Sequence, residues 1–360
     1  MDFTALIRAF GIPGICQDCE ELFVGNINQT YKLRFAHTDG SSAEYIVQKL
    51  NTYVFKNPRE VMDNIQRVTD HIRQQPGMDD CRRVLHFLTA ADGTPYVENE
   101  TGFWRAYRYI DRARTYDTVS ARHFEQAGFA FGQFQGDLAG FPVQTLWETI
   151  PHFHDTPDRM RQLRQAIRED KAGRAASVQP EIRFILEREA DAGIIVEALQ
   201  SGRIPLRVTH NDTKINNVLF DVDTDAPICV IDLDTVMPGS ALYDYGDAIR
   251  SGANTAGEDE EDLALVHFDL SLFERFTVGY LRAAGDRLTR EEIRLFPQAA
   301  RILTLELCAR FLTDYLNGDE YFKVKKPGHN LIRTRNQIEL VRQMESQMPA
   351  MTAIVRQYGG

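Results

Sequence analysis

The chain has 360 residues, with 41 Lys+Arg against 52 Asp+Glu for a formal net charge of −11. Its composition, 43% apolar and 26% charged, is that of a chain able to offset its ordering entropy by burial, which excludes a disordered protein. The acidic balance excludes a general nucleic-acid binder, which needs surplus cations to displace counterions, and no run approaches the ~18 apolar residues of a membrane span.

The length suggests about two domains. The opening residues MDFTALIRAFG lack a basic segment followed by an apolar run, and the five cysteines are odd in number and scattered, so a cytoplasmic setting is expected. Cys16-Gln-Asp-Cys19 is an isolated pair with no partner pair at metal-site spacing, and it reads as ordinary thiols.

Short alternating runs dominate the first ~110 residues. Tyr31–Phe35 and Glu44–Leu50 read as strands around a turn at His37–Gly40, and Arg83–Leu88 and Phe103–Ile110 read as two more. Between them, Asn57-Pro58-Arg59-Glu60 reads as a capped helix start, with Val61, Ile65, Val68 and Ile72 at helical spacing. Beyond Asp111 the pattern predicts helices over about 120–138, 157–173, 180–200, 268–284, 289–316 and 330–350, with caps at Thr156 and at Thr289 with Glu292. The acidic run Glu258–Asp262 reads as a solvated loop or helix start. One β island, Leu206–Asp234, interrupts the helices. The expected organisation is α+β, with a small β-rich lobe over 1–110 and a larger, mainly helical lobe over 111–360.

The β island carries the chemistry. His210-Asn-Asp212 precedes Asn217 by a four-residue interval, and the apolar run Ile228–Ile231 ends in Asp232, fifteen residues after Asn217. Phosphoryl transfer requires a carboxylate to take the acceptor hydroxyl's proton and hard oxygen ligands for Mg²⁺. Asp212 suits the first role; Asn217 and Asp232 suit the second. A carboxylate at the end of a four-residue apolar run is costly unless it is paired. Asp244 and Asp247 read as buried partners that orient the loop.

The blocks Val208–Asn217, Val230–Ser240 and Tyr243–Arg250 resemble the aminoglycoside phosphotransferase and choline kinase superfamily, and look most like its N-acetylhexosamine 1-kinases. Phe23–Tyr31, Tyr45–Asn51, Pro151–Pro157, Arg310–Leu316 and Asn330–Arg335 agree with that resemblance. The resemblance implies a protein-kinase-like two-lobed fold with ATP and Mg²⁺ as cofactors, Asp212 as base, and Asn217 and Asp232 as metal ligands. It places ATP near Asn28, Thr30, Gln48 and the segment Arg108, Tyr109 and Ile110. It places the sugar near Asn26, Asp212, Arg310 and Tyr321.

Where the superfamily presents a phosphate-pairing Lys, this strand reads Ile46-Val-Gln-Lys49, and alternation puts Gln48 on that face with Lys49 on the other. The phosphate loop has the single glycine Gly25, and Asn26 stands where the sugar kinases commonly carry His. The expected activity is ATP-dependent phosphorylation of N-acetylglucosamine or N-acetylgalactosamine at the anomeric hydroxyl. The expected partners are ATP and the sugar, with no nucleic acid or membrane, and the expected state is a monomer or small homo-oligomer. The alternatives are another hydroxyl acceptor (an amino alcohol, homoserine or an aminoglycoside) or a catalytically dead nucleotide-binding protein.

Overall fold

The computed structural model describes residues 3–23, 27–75, 82–118 and 120–360. In chain order its elements are α1 (Thr4–Ala9), β1 (Ile15–Leu22), β2 (Gln29–Ala36), β3 (Ser42–Lys49), α2 (Pro58–Arg73), β4 (Val97–Asn99), β5 (Gly102–Arg108) and β6 (Ala113–Arg114). Then follow α3 (Ala121–Asp137), α4 (Thr156–Glu169), α5 (Gln179–Leu186), α6 (Ile194–Gln200), β7 (Arg207–Thr209), β8 (Val218–Asp221), β9 (Pro227–Val230) and β10 (Met237–Gly239). The chain ends with α7 (Ala241–Gly252), α8 (Leu270–Ala284), α9 (Arg290–Arg294), α10 (Phe296–Asn317) and α11 (His329–Tyr358).

Two compact units result. The first comprises 1–114, 140–150 and 219–237, and the second 115–139, 151–218 and 238–360. The first is built on an antiparallel sheet of order β1-β2-β3-β5-β4. Alternation divides its residues between two faces. Tyr31, Leu33, Phe35, Tyr45, Val47, Trp104 and Ala106 pack on one face beneath Phe3, Leu6 and Phe10 of the α1 segment. The opposite face carries Thr30, Gln48 and Arg105, which bond one another as described below. The two inserts join this unit through specific polar ties. Asn64 of α2 donates to the carbonyls of Trp147 and Val236 and accepts from the Trp147 N–H. Arg82 pairs with Asp221, and Arg112 and Arg114 pair with Asp223 and Asp225.

In the second unit α10 is the central rod, buried on almost every face. Helices α3 and α8 approach closely because Gly128, Gly132 and Gly279 carry no side chain: a Cβ at these positions would meet the carbonyls of Phe276, Tyr280 and Glu125.

Several sequence expectations need correction. Arg83–Leu88 is not a strand. It meets β5 only through a bridge at Phe87 and two backbone bonds, Leu88 N–H to the Ala106 carbonyl and Arg108 N–H to the His86 carbonyl, too few for a ladder. The helix expected over 180–200 is interrupted between Leu186 and Ile194, where a tight turn runs into Gly193. The one expected over 289–316 breaks at Leu295, ahead of Pro297, whose ring cannot continue the preceding turn. Helix α11 instead continues through Pro349 to Tyr358, which buries Met351 and Val355. Asn57 does not cap α2; its amide donates to Glu60. Asp155, not Thr156, caps α4 by accepting from the Asp158 N–H. The Thr289–Glu292 capping box is present as expected. No helix among the described residues is long and apolar enough to cross a membrane.

Candidate active site

The first unit presents a polar network on β2, β3 and β5. Gln48 donates to Thr30 Oγ1 at 3.0 Å and accepts from Arg105 Nε at 2.8 Å. Arg105, 3% exposed, forms an ion pair with Asp234, itself 4% exposed. Asp234 Oδ2 also accepts from the Asn28 amide at 2.6 Å, while Asn28 Oδ1 accepts from the Asn51 N–H at 3.0 Å. Asn28, Thr30 and Gln48 are thus gathered in one network. Lys49 lies on the other face, as alternation predicts, opposite Trp104 in register and with its ammonium 5.8 Å from the indole centroid.

Asp232 is exposed and takes left-handed backbone angles, φ 59°. The buried carboxylate of this segment is Asp234, because the chain turns sharply at Asp232 and points the next-but-one residue inward. At the end of β5 the Arg108 and Tyr109 N–H groups bond the carbonyls of His86 and Glu44. The Lys32 ammonium sits 3.8 Å from the Tyr109 ring centroid, and Ile110 is buried. Asn26 and Gly25 lie outside the described residues.

The second unit presents the loop after β7. His210 is fully buried, edge-on to the rings of Phe131 and Phe134. Buried Asp244, from α7, accepts the Asn211 N–H at 2.7 Å, the His210 N–H at 3.0 Å and the Gln135 amide at 3.0 Å. Asn211 takes φ 65°, a conformation Asn tolerates better than most residues, and this turns the next residue outward. Asp212 is partly exposed; its carboxylate accepts from Asn217 Nδ2 at 3.0 Å and pairs with Lys214 Nζ at 2.7 Å. The Asn217 amide nitrogen also donates to the Asp212 carbonyl at 2.8 Å. With its nitrogen committed to Asp212, Asn217 directs its amide oxygen elsewhere, which fits the oxygen-ligand chemistry of a hard cation.

The Thr213 N–H donates to Asp247 at 3.2 Å, and Asp247 pairs with Arg250, which reaches Glu258. Burial pushes the Asp244 carboxyl above its ordinary value, opposed by His210 and by its hydrogen bonds. Burial acts the same way on Asp247, but Arg250 and Lys214 outweigh it and hold that carboxyl below the ordinary value. Asp212 raises the Lys214 pKa against the opposing effect of burial.

Arg310 and Tyr321 fall in one neighbourhood of the second unit. The Arg310 guanidinium lies 5.4 Å from the Phe153 ring centroid and 5.6 Å from that of Phe322, and Phe322 packs on Tyr321. Asp314 fixes this segment by accepting the N–H groups of Tyr321 and Phe322 and the Asn330 amide. Arg159 is close by, its pKa lowered by burial and then by Arg310. Buried Glu306 is engaged by His154 Nδ1 at 2.9 Å and Thr156 at 2.8 Å.

Sequence reasoning missed Lys214 and Arg105. Lys214 was visible beside Asp212, but its pairing depends on the loop's path. Arg105 was legible only as the cross-strand partner of Gln48.

Residues 18–296 match the model of the phosphotransferase enzyme family. The chain belongs to this family. Among solved structures, a microcompartment-associated aminopropanol kinase is similar at 15% identity and TM-score 0.62, over 98% of this chain and 99% of that one. A spectinomycin phosphotransferase in complex with ADP and spectinomycin is similar at 13% identity and TM-score 0.61, over 95% and 97%. An ethanolamine kinase from Plasmodium vivax is similar at 12% identity and TM-score 0.54, over 89% and 82%. The fold is the α+β, protein-kinase-like fold of the aminoglycoside phosphotransferases, as the sequence motifs implied.

Proposed function

We propose that this phosphotransferase is an ATP-dependent kinase acting on the anomeric hydroxyl of an N-acetylhexosamine, to give the sugar 1-phosphate. The observation that carries the chemistry is the Asp212 loop, in which a partly exposed carboxylate is held by Asn217 and by a backbone that Asp244 fixes. In this reading Asp212 takes the acceptor proton. Asn217 and Asp232 offer oxygen ligands to Mg²⁺, which when bound neutralises triphosphate charge. Lys214 contributes positive charge next to the base. Asn28, Thr30 and Gln48 serve the nucleotide phosphates. Adenine is met near Arg108–Ile110, and by Ile110 rather than Tyr109, because the Tyr109 N–H is already bonded.

The neighbourhood of Arg310 and Tyr321 supports a neutral acceptor. Two guanidinium groups, Arg159 and Arg310, stand among Phe153, Phe322 and Tyr321, while Glu306 and Asp314 are occupied by internal partners. Glu306 lies 3.8 Å from Arg310 and offsets part of its charge; acetamide and hydroxyl oxygens are suitable acceptors of guanidinium hydrogen bonds.

The test is turnover of a panel of acceptors with phosphorus NMR of the product. N-acetylglucosamine or N-acetylgalactosamine should give a phosphorus signal coupled to the anomeric proton, and their methyl glycosides should be inert. Phosphate on the 6-hydroxyl, or turnover of ethanolamine or homoserine without sugar turnover, refutes the proposal.

A further inference from the structure

The sheet face bearing Thr30 and Gln48 is where a strand lysine would meet nucleotide phosphates, and Lys49 points away from it. The cation of that network is Arg105, contributed by the neighbouring strand, directly opposite Gln48 in register. Its guanidinium joins three parts of the first unit: Gln48 on β3, Met62 of α2 at 4.0 Å, and Asp234, two residues beyond Asp232. Through Asp234 it also reaches Asn28 at the start of β2.

We propose that Arg105 is a positioning residue for the triphosphate and its metal: paired with Asp234, it supplies the fixed positive charge of the nucleotide face and locks the turn that presents Asp232, a role the absent strand lysine leaves open. This rests on the nucleotide reading proposed above. A buried Arg suits the role because it stays charged under desolvation and its planar fork engages several oxygens at once. Arg105 is held charged here: burial opposes the charge, but Asp234 outweighs it, with Asp232 adding to the effect. Loss of Arg105 would remove the charge and let the Asp232 turn relax, so the effect should fall on the phosphate end of the nucleotide and spare the base.

The experiment compares MgATP and adenosine binding by calorimetry in the full-length wild type and variants. Arg105→Gln alone leaves Asp234 buried and unpaired, so the main variant is Arg105→Gln/Asp234→Asn, which removes both charges together. MgATP affinity should fall about 10–100-fold, as expected for loss of a charge-assisted contact, with a higher Mg²⁺ requirement. Adenosine affinity should stay within about 2-fold, and Arg105→Lys, which keeps the charge, should lose less than the double variant. Unchanged MgATP affinity, or an equal fall for both ligands, overturns the inference. If the double variant does not fold, Arg105→Lys decides it: a selective MgATP loss supports the inference, and an equal loss or no loss overturns it. Absence of MgATP binding by the wild type would overturn the nucleotide reading and this inference with it.

Discussion

Asp244→Asn tests whether a buried carboxylate holds the loop of Asp212. The side chain keeps its shape but loses one acceptor. In the wild type Oδ1 takes the Asn211 N–H, and Oδ2 takes the His210 N–H and the Gln135 amide. The best amide orientation keeps its oxygen on the Oδ2 side, which leaves its NH₂ facing the Asn211 N–H, donor against donor. One hydrogen bond to a charged acceptor is lost outright, worth about 1.5–3 kcal/mol, and the other two weaken to neutral ones. Relief of the burial penalty that raises the Asp244 pKa offsets part of this. The net loss should be about 2–3 kcal/mol, equivalent to about 4–12 °C in Tm for a unit of this size. The same change frees the backbone at Asn211, next to the carboxylate proposed as the base, so kcat should fall at least ~10-fold. Thermal unfolding and steady-state kinetics on one preparation measure both. A Tm within about 2 °C of wild type together with unchanged kcat would refute the assignment of Asp244 as the anchor of this loop.

Asp212→Asn should lower kcat by about 10²–10⁴ with MgATP binding retained, since an amide cannot take the acceptor proton; retention of more than about a tenth of kcat excludes Asp212 as base. Lys49→Ala should change KM for ATP by less than about 3-fold, because Lys49 lies against Trp104 on the far face of the sheet; a ~100-fold rise, the scale of a lost contact to a charged group, would place Lys49 at the phosphates. The Asp247 carboxyl, held below its ordinary value, contributes stability that is full above the unfolded Asp value near ~3.9 and is lost as pH falls through the native value. Tm between pH 2.5 and 6 should therefore drop less steeply in Asp247→Asn, from a lower plateau; parallel curves refute the linkage. Gly279→Ala should destabilise by about 1–3 kcal/mol despite its better helix propensity, because the methyl meets the Glu125 carbonyl of α3; chemical denaturation that shows no loss would mean the two helices separate freely.

The sequence by itself determined the elements whose signals are local. β2 and β3 follow from alternation, α2 from the spacing of Val61, Ile65, Val68 and Ile72, and α9 from the Thr289–Glu292 box. The same local reading singled out Asp212 and Asn217, which the loop brings within a hydrogen bond because only four residues separate them. Tertiary structure decided whatever depends on partners distant in sequence. Asp232 and Asp234 look alike in the sequence, and only the turn at Asp232 and the buried Arg105, 129 residues from Asp234, decide which is exposed and which is buried. The acidic run Glu258–Asp262 is a solvent-facing loop that leads into a helix start at Asp262, as read, but only the tertiary structure supplies its partners: Glu258 meets Arg250, Asp259 meets Lys325 and His329, and Glu261 meets Lys326. Pro349 cannot donate the helical backbone bond at its position, yet α11 continues through it, with Met351 and Val355 buried beyond it. Local pattern fixes where a chain can turn and which face is apolar. Which charge is buried, and against what, is set by pairings that form only when distant segments meet.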